Sequence, residues 1–111
     1  MFCNQCEQTA QGTGCTKMGV CGKNEPLADI EDVLIHALCG MSLFANAARQ
    51  QEIVDQELDR FTMKAVFSTL TNVNFDPERF AVLINKTVEF REEIKKQVLA
   101  AGGNVDFTHP A

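Results

Sequence analysis

The sequence predicts an all-α protein, a three-helix up-down-up bundle preceded by a Gly/Cys-rich loop. Three observations predict it. Apolar residues recur at three- and four-residue spacing through most of residues 26–101. No run alternates with period two, so no strand is expected. Residues 1–25 have neither period, yet hold four of the five cysteines and four of the seven glycines. The loop (1–25) and the bundle (26–111) form one domain together, because a chain of 111 residues is too short for two separate cores.

Each helix has its own start and stop signals. Pro26 and Asp29 mark the first, which runs over 27–50 with Ile30, Val33, Leu34, Ala37, Leu38, Met41, Ala45 and Ala48 as its stripe. Asp55 caps the second, whose stripe is Leu58, Phe61, Ala65 and Leu70, and Asn72, Val73 and Asn74 break it. Asp76 followed by Pro77 is a cap and a first-turn proline. The third helix carries Phe80, Leu83, Ile84, Thr87, Val88 and Val98 and ends at Gly102 and Gly103, leaving an extended tail over 104–111. Each helix also has further apolar residues: Ile35, Cys39 and Leu43; Met63 and Phe67; Phe90 and Ile94. These widen the core stripe or form a face for another bundle, so a homodimer through the bundle is expected.

Composition removes several function classes. Ten Lys plus Arg against fifteen Asp plus Glu give a net charge of −5. Such a chain gains nothing electrostatically from phosphate backbones or anionic lipid, so nucleic-acid and membrane binding are not expected. No apolar run reaches the length of a membrane span. Met1-Phe2-Cys3-Asn4 has neither the basic start nor the apolar stretch of a secretory leader. A reducing cytoplasm is therefore expected, where clustered cysteines mean metal rather than disulfide.

Cys3, Cys6, Cys15 and Cys21 follow the spacing C-x2-C-x8-C-x5-C. The x2 pair puts two thiolates on one turn, and the other two arrive across glycine-containing loops. Four thiolates suit tetrahedral zinc or an iron–sulfur cluster. Zinc ribbons arrange their ligands as two close pairs, and the x5 gap suits a larger body. A thioredoxin-type dithiol at Cys3 and Cys6 lacks the strand it would follow. A small domain needs such a staple, since its own core is modest.

These residues resemble a known family. Met1-Phe2-Cys3, Gln5-Cys6-Glu7-Gln8-Thr9-Ala10, Thr13-Gly14-Cys15 and Gly19-Val20-Cys21-Gly22-Lys23 are similar to the amino terminus of the hybrid cluster proteins, also called prismane proteins or hydroxylamine reductases. Phe67-Ser68-Thr69-Leu70-Thr71-Asn72-Val73-Asn74-Phe75-Asp76 and Ile30-Glu31-Asp32-Val33-Leu34-Ile35 support the resemblance. It implies that residues 1–25 are a cluster-binding loop in which Cys3, Cys6, Cys15 and Cys21 hold a 4Fe-4S cluster. Longer spacings in the family go with 2Fe-2S; zinc is the third possibility. It also implies a departure. The family's catalytic hybrid cluster takes its ligands from later domains, and the remaining Cys39, His36 and His109 cannot build it. The reductase activity is therefore not carried over, and independent catalysis is not expected.

The implied function is electron transfer or redox chemistry with a partner protein that the sequence does not identify. The alternatives are a cluster-based sensor of oxygen or nitric oxide, an excised domain of a longer hydroxylamine reductase, and a zinc-stapled interaction module. Backbone N–H groups of Gly12, Gly14, Gly19 and Gly22 are expected to donate to cluster sulfurs, and the amino end of the first helix near Ala28 and Asp29 to add its dipole. Lys17, Lys23, Glu7 and Glu25 read as solvated loop charges whose effects on potential cancel. Cys39 reads as a buried structural cysteine, His36 as a helix-surface or packing residue and His109 as solvated. Glu92, Glu93, Lys95 and Lys96 read as a solvated helix face.

Overall fold

The computed structural model describes residues 1–70 and 75–111. Its elements are α1 (Glu25–Gln50), α2 (Gln56–Ser68) and α3 (Pro77–Ala100), with one 3-10 turn at Ala10–Gly12 in the loop ahead of them. No strand appears among the described residues; an isolated antiparallel bridge joins Cys3 to Cys15. The fold is all-α, as the periodicity predicts.

The helix starts are capped by side chains. Asn24 accepts the Leu27 N–H at 3.0 Å, two residues before the predicted Pro26 signal. Asp55 accepts the Leu58 N–H at 3.0 Å, and Asp76 accepts the Glu78 N–H at 3.0 Å ahead of Pro77. Each cap satisfies a backbone donor that the first turn leaves without an intrahelical partner. α2 stops at Ser68, and its last carbonyls are taken by the hydroxyls of Ser68 (to Ala65 O, 2.6 Å) and Thr69 (to Val66 O, 2.8 Å). The predicted break at Asn72–Asn74 lies outside the described residues.

The main seam is between α1 and α3, which run parallel, while α2 runs back between their ends. Leu34, Met41, Phe80 and Val98 are fully buried in it. α2 joins through Leu58, Phe61 and Ala65, and Phe61 stacks on Phe90 of α3 with centroids 4.9 Å apart. Arg49 and Asp59 tie the α1–α2 corner at 2.6 Å. The tail runs back along α1: Phe107 meets Phe44 edge-on at 5.2 Å, and the Ala111 backbone lies where a side chain on Gly40 would sit, at 2.9 Å.

Two details of the stripes differ from expectation. The buried face of α1 is Leu27, Glu31, Leu34, Leu38, Met41 and Ala48, so Val33 and Cys39 point outward and are exposed. The rest of the predicted stripe is in place: Leu34, Leu38, Met41 and Ala48 are buried, and Ile30 and Ala45 pack against the core. Cys39 is therefore not a buried structural cysteine. His36 is exposed on the same outer side. Met63 and Phe67 of α2 are exposed as well, at 69% and 59%. Among the described residues no helix is long and apolar enough to cross a membrane.

The difference in burial between Leu34 and Val33 predicts unequal truncation costs. Leu34→Ala is expected to lower stability by about 2–5 kcal/mol. Val33→Ala, on the outer face, is expected to stay within about 0.5 kcal/mol of the parent. Urea denaturation followed by helical circular dichroism checks both.

Candidate metal centre

The loop of residues 1–24 has almost no apolar core and is ordered by backbone pairing. Cys3 and Cys15 exchange both backbone hydrogen bonds, at 2.9 and 2.8 Å, which closes the loop into a ring. Gly14 sits in this ring against the Phe2 ring, where a Cβ would overlap the aromatic carbons. A second tight turn runs from Gly19 to Lys23: Gly19 N–H donates to Lys23 O at 2.7 Å, and Gly22 N–H to Gly19 O at 2.8 Å. Gly22 has φ +97°, a conformation that costs glycine little. That turn presents Cys21.

Together these turns bring Cys3, Cys6, Cys15 and Cys21 to the walls of one space of about 280 Å³, open in part to solvent. Gln5, Gln8, Thr9 and Lys23 also line it. All four predicted ligands are thus gathered, and no described cysteine is in a disulfide. Cys15 is the most enclosed, and the other three are half-buried. Cys39 lies elsewhere, exposed on α1. Among the described residues no three Cys, His, Asp or Glu side chains converge on a point fit for a single ion. Four thiols lining one space are a donor set of the kind that zinc or an iron–sulfur cluster takes.

The hydrogen bonds to sulfur do not come from the glycines. Gly12 N–H donates to Thr9 O, Gly14 N–H to Ala10 O, and Gly19 and Gly22 are used in their own turn. Ala10 is one sulfur donor: its N–H meets Cys15 Sγ at 3.3 Å, with the Thr9 hydroxyl 3.7 Å away. The Ala10 and Val20 N–H groups, then Thr9, stabilise the thiolate and hold Cys15 below the ordinary thiol range; burial opposes them and Lys23 adds to them. Thr9 also donates to Cys3 O at 2.9 Å.

Lys23 departs furthest from expectation. It is not a solvated loop charge: only 3% of it is exposed. Its Nζ lies 2.5 Å from Glu31 Oε2, 3.0 Å from the Thr69 carbonyl and 3.5 Å from Cys3 Sγ. Glu31, 1% exposed, pairs with Lys23 through Oε2, and its Oε1 has no hydrogen-bond partner among the described residues. Burial opposes the Lys23 charge, but Glu31 and then Cys3 outweigh it and hold the ammonium above its ordinary value. Burial pushes the Glu31 carboxyl up, and Lys23 pulls it back in part. Thr69 makes a second link to the loop through Gln5 Oε1, at 3.3 Å. The signal for Glu31 was present in the sequence: it stands on the Leu27–Leu34–Leu38 line, where a carboxylate is out of place unless paired.

A family model described as Prismane/CO dehydrogenase matches residues 1–109. The chain belongs to that family. Among its curated relatives are proteins named hydroxylamine reductase: one from Syntrophobacter fumaroxidans, 58% identical over 111 residues, covers 100% of this chain and 20% of its own length. Another from Methanocella arvoryzae is 52% identical over 97% of this chain and 20% of its own length. A third, from Clostridium tetani, is 43% identical over 98% and 19%. The chain therefore spans about a fifth of the length of these Prismane-family relatives and is similar to their amino-terminal region.

Removing one side of the buried pair is expected to cost more than removing both. Lys23→Met leaves Glu31 charged and alone, at about 3–5 kcal/mol. The double variant Lys23→Met/Glu31→Leu is expected to recover most of that loss. Urea denaturation of the two variants side by side gives the comparison.

Proposed function

We propose that Cys3, Cys6, Cys15 and Cys21 hold one 4Fe-4S cluster and that the chain moves single electrons to and from a partner protein. The observation that supports the reading is that these four cysteines, from separate turns, line one space. When bound, such a cluster supplies reversible one-electron chemistry at a potential set by charge, hydrogen bonds to sulfur and solvent access. The loop residues do the rest. Ala10 and Thr9 favour the Cys15 thiolate, the Cys3–Cys15 bridge fixes two ligands at a set separation, and the Gly19–Lys23 turn fixes the fourth. Cys3, Cys6 and Cys21 are half-buried, which supports exchange of electrons at the surface. Reductase activity belongs to the longer relatives by name and is not proposed for these 111 residues. A reducing, cytoplasmic setting accords with five cysteines and no disulfide among the described residues.

A sensor reading is favoured by one observation. The loop is tied to the bundle through Lys23, Thr69 and Gln5 rather than through apolar packing, so loss of the cluster would release it. Reversible reduction with an unchanged circular dichroism spectrum supports electron transfer; unfolding of the loop on exposure to oxygen or nitric oxide supports sensing.

The direct test is an anaerobic absorption spectrum with iron and zinc analysis, then dithionite reduction and low-temperature electron paramagnetic resonance. A broad band near ~400 nm that bleaches on reduction, with about four irons per chain, is expected. Colourless protein containing zinc overturns the reading. Cys6→Ser is expected to lose the iron and Cys39→Ser to keep it; iron loss in Cys39→Ser alone overturns the ligand assignment.

We further propose that a second copy covers the groove between α2 and α3. The chain exposes 6997 Å², against about 6,100 Å² for a folded monomer of its mass. The excess of about 900 Å² matches the roughly 800 Å² that each partner gives to a standard interface. Exposed Phe67 and Val82 border the groove beside Lys64, Lys86 and Glu78, so both charge signs share one face, as a self-complementary contact requires. A sedimentation mass near twice 12.3 kDa is expected at micromolar concentration, and a monomer mass throughout overturns the proposal.

A further inference from the structure

We infer that Lys23 and Glu31 are positioning residues that set the cluster's potential by opposed charge, with Lys23 favouring the electron-rich form and Glu31 restraining it. The inference rests on the cluster reading above and deepens it. The loop charges expected to act in this way, Lys17, Glu7 and Glu25, are all exposed and screened by water. Lys23 is the buried cation of the loop, and its Nζ lies 3.5 Å from the sulfur of a ligand. Glu31 is one residue's reach further out and touches Lys23 rather than a cysteine.

The geometry makes the two charges unequal in effect. Both are shielded from water, so each acts through a lower dielectric than a surface charge. The ammonium is held by two oxygens besides the sulfur: Glu31 Oε2 at 2.5 Å and the Thr69 carbonyl at 3.0 Å. The Thr69 carbonyl stands at the C-terminal end of α2, where the helix dipole is negative and favours a cation. These anchors fix the ammonium beside Cys3 and prevent it from swinging into solvent. The carboxylate lies behind it and cancels part of its field. The step affected is the uptake of one electron from an external one-electron donor. No bond to Lys23 or Glu31 forms or breaks, and neither gives up a proton.

A residue that merely held the loop in place would change cluster occupancy, and either variant would move any potential in the same sense. Opposed charges give opposite shifts. Glu31→Gln keeps the size of the side chain and removes its charge, leaving the ammonium uncompensated. At a fixed donor potential it is expected to shift the reduced-to-oxidised ratio about tenfold toward reduced, about 59 mV for a one-electron couple. Lys23→Gln is expected to shift it by a larger factor toward oxidised, because the ammonium is the nearer of the two charges. Lys23→Arg keeps the charge and is expected to remain within about twofold of the parent.

The experiment is an anaerobic dithionite titration of the iron-loaded full chain, read by electron paramagnetic resonance, with iron content measured for each variant. Opposite shifts in Glu31→Gln and Lys23→Gln support the inference. Shifts of the same sign, or no shift in Glu31→Gln, overturn it. If Lys23→Gln does not load iron, Glu31→Gln and Lys23→Arg decide alone: a raised potential in the first with an unchanged one in the second supports it, and any other pattern overturns it. A parent protein that carries zinc and no iron overturns the cluster reading instead, so the two failures are told apart.

Discussion

A buried ammonium holds the two halves of this protein together. Lys23 comes from a loop that has no apolar core, Glu31 from the first helix and the Thr69 carbonyl from the end of the second. Burying a charge costs several kcal/mol, and the attraction of a single partner repays it only when the geometry is good. Here the ammonium has three partners, one of them a sulfur of the proposed cluster site. Apolar packing supplies little at this junction, since Phe2, Met18 and Val20 of the loop are exposed. The loop therefore depends on directed polar contacts, on the Cys3–Cys15 bridge and on whatever the four thiols bind.

The same junction explains why the site is at one end of an elongated molecule. The radius of gyration is 15.6 Å, against about 13 Å for a typical domain of this length. α1 and α3 lie side by side along the long axis and keep most of the apolar core, while α2 is shorter and leaves Met63 and Phe67 outside. α2 is nonetheless needed at the site, because its last turn delivers both the carbonyl that receives Lys23 and the hydroxyl that meets Gln5. A helix with a thin apolar attachment thus carries part of the clamp. Covering its outer face with a second copy would stiffen the clamp as well as bury apolar surface.

Much of this was legible in the sequence, and the parts that were not share a cause. Caps and stops are local: Asp55, Asp76 with Pro77, and the glycine pair after Ala101 each act within one turn, and each appears where the spacing places it. The four-cysteine set was legible because the ligand types and their glycine spacers are close in the chain. On α1 the stripe was legible except at Val33, which is as apolar as Leu34 but lies off the line that the rest of the bundle covers. The sulfur donors were misassigned for a similar reason. Glycine N–H groups are accessible, but in turns this tight they are consumed by the turns themselves, and Ala10 is left to reach Cys15. Lys23 and Glu31 are eight residues apart and Thr69 is 46 residues beyond Lys23, so their meeting is a tertiary fact.

Glu31 is the most informative of these residues. An apolar residue at its position would pack the α1 line without the cost of a buried carboxylate, and pairs of this kind are often replaceable by apolar side chains with no loss of stability. Stability alone therefore does not explain why the carboxylate is there. Without Glu31, Lys23 would either leave the interior or bring its full charge to the sulfur of Cys3. With Glu31, the ammonium stays buried and its field is moderated. The other carboxylate oxygen, Oε1, has no hydrogen bond among the described residues, so the carboxylate depends on its contact with Lys23. A polar group kept at a cost inside an apolar line, next to thiols that gather around one space, is placed where its charge would act on the cluster we propose there.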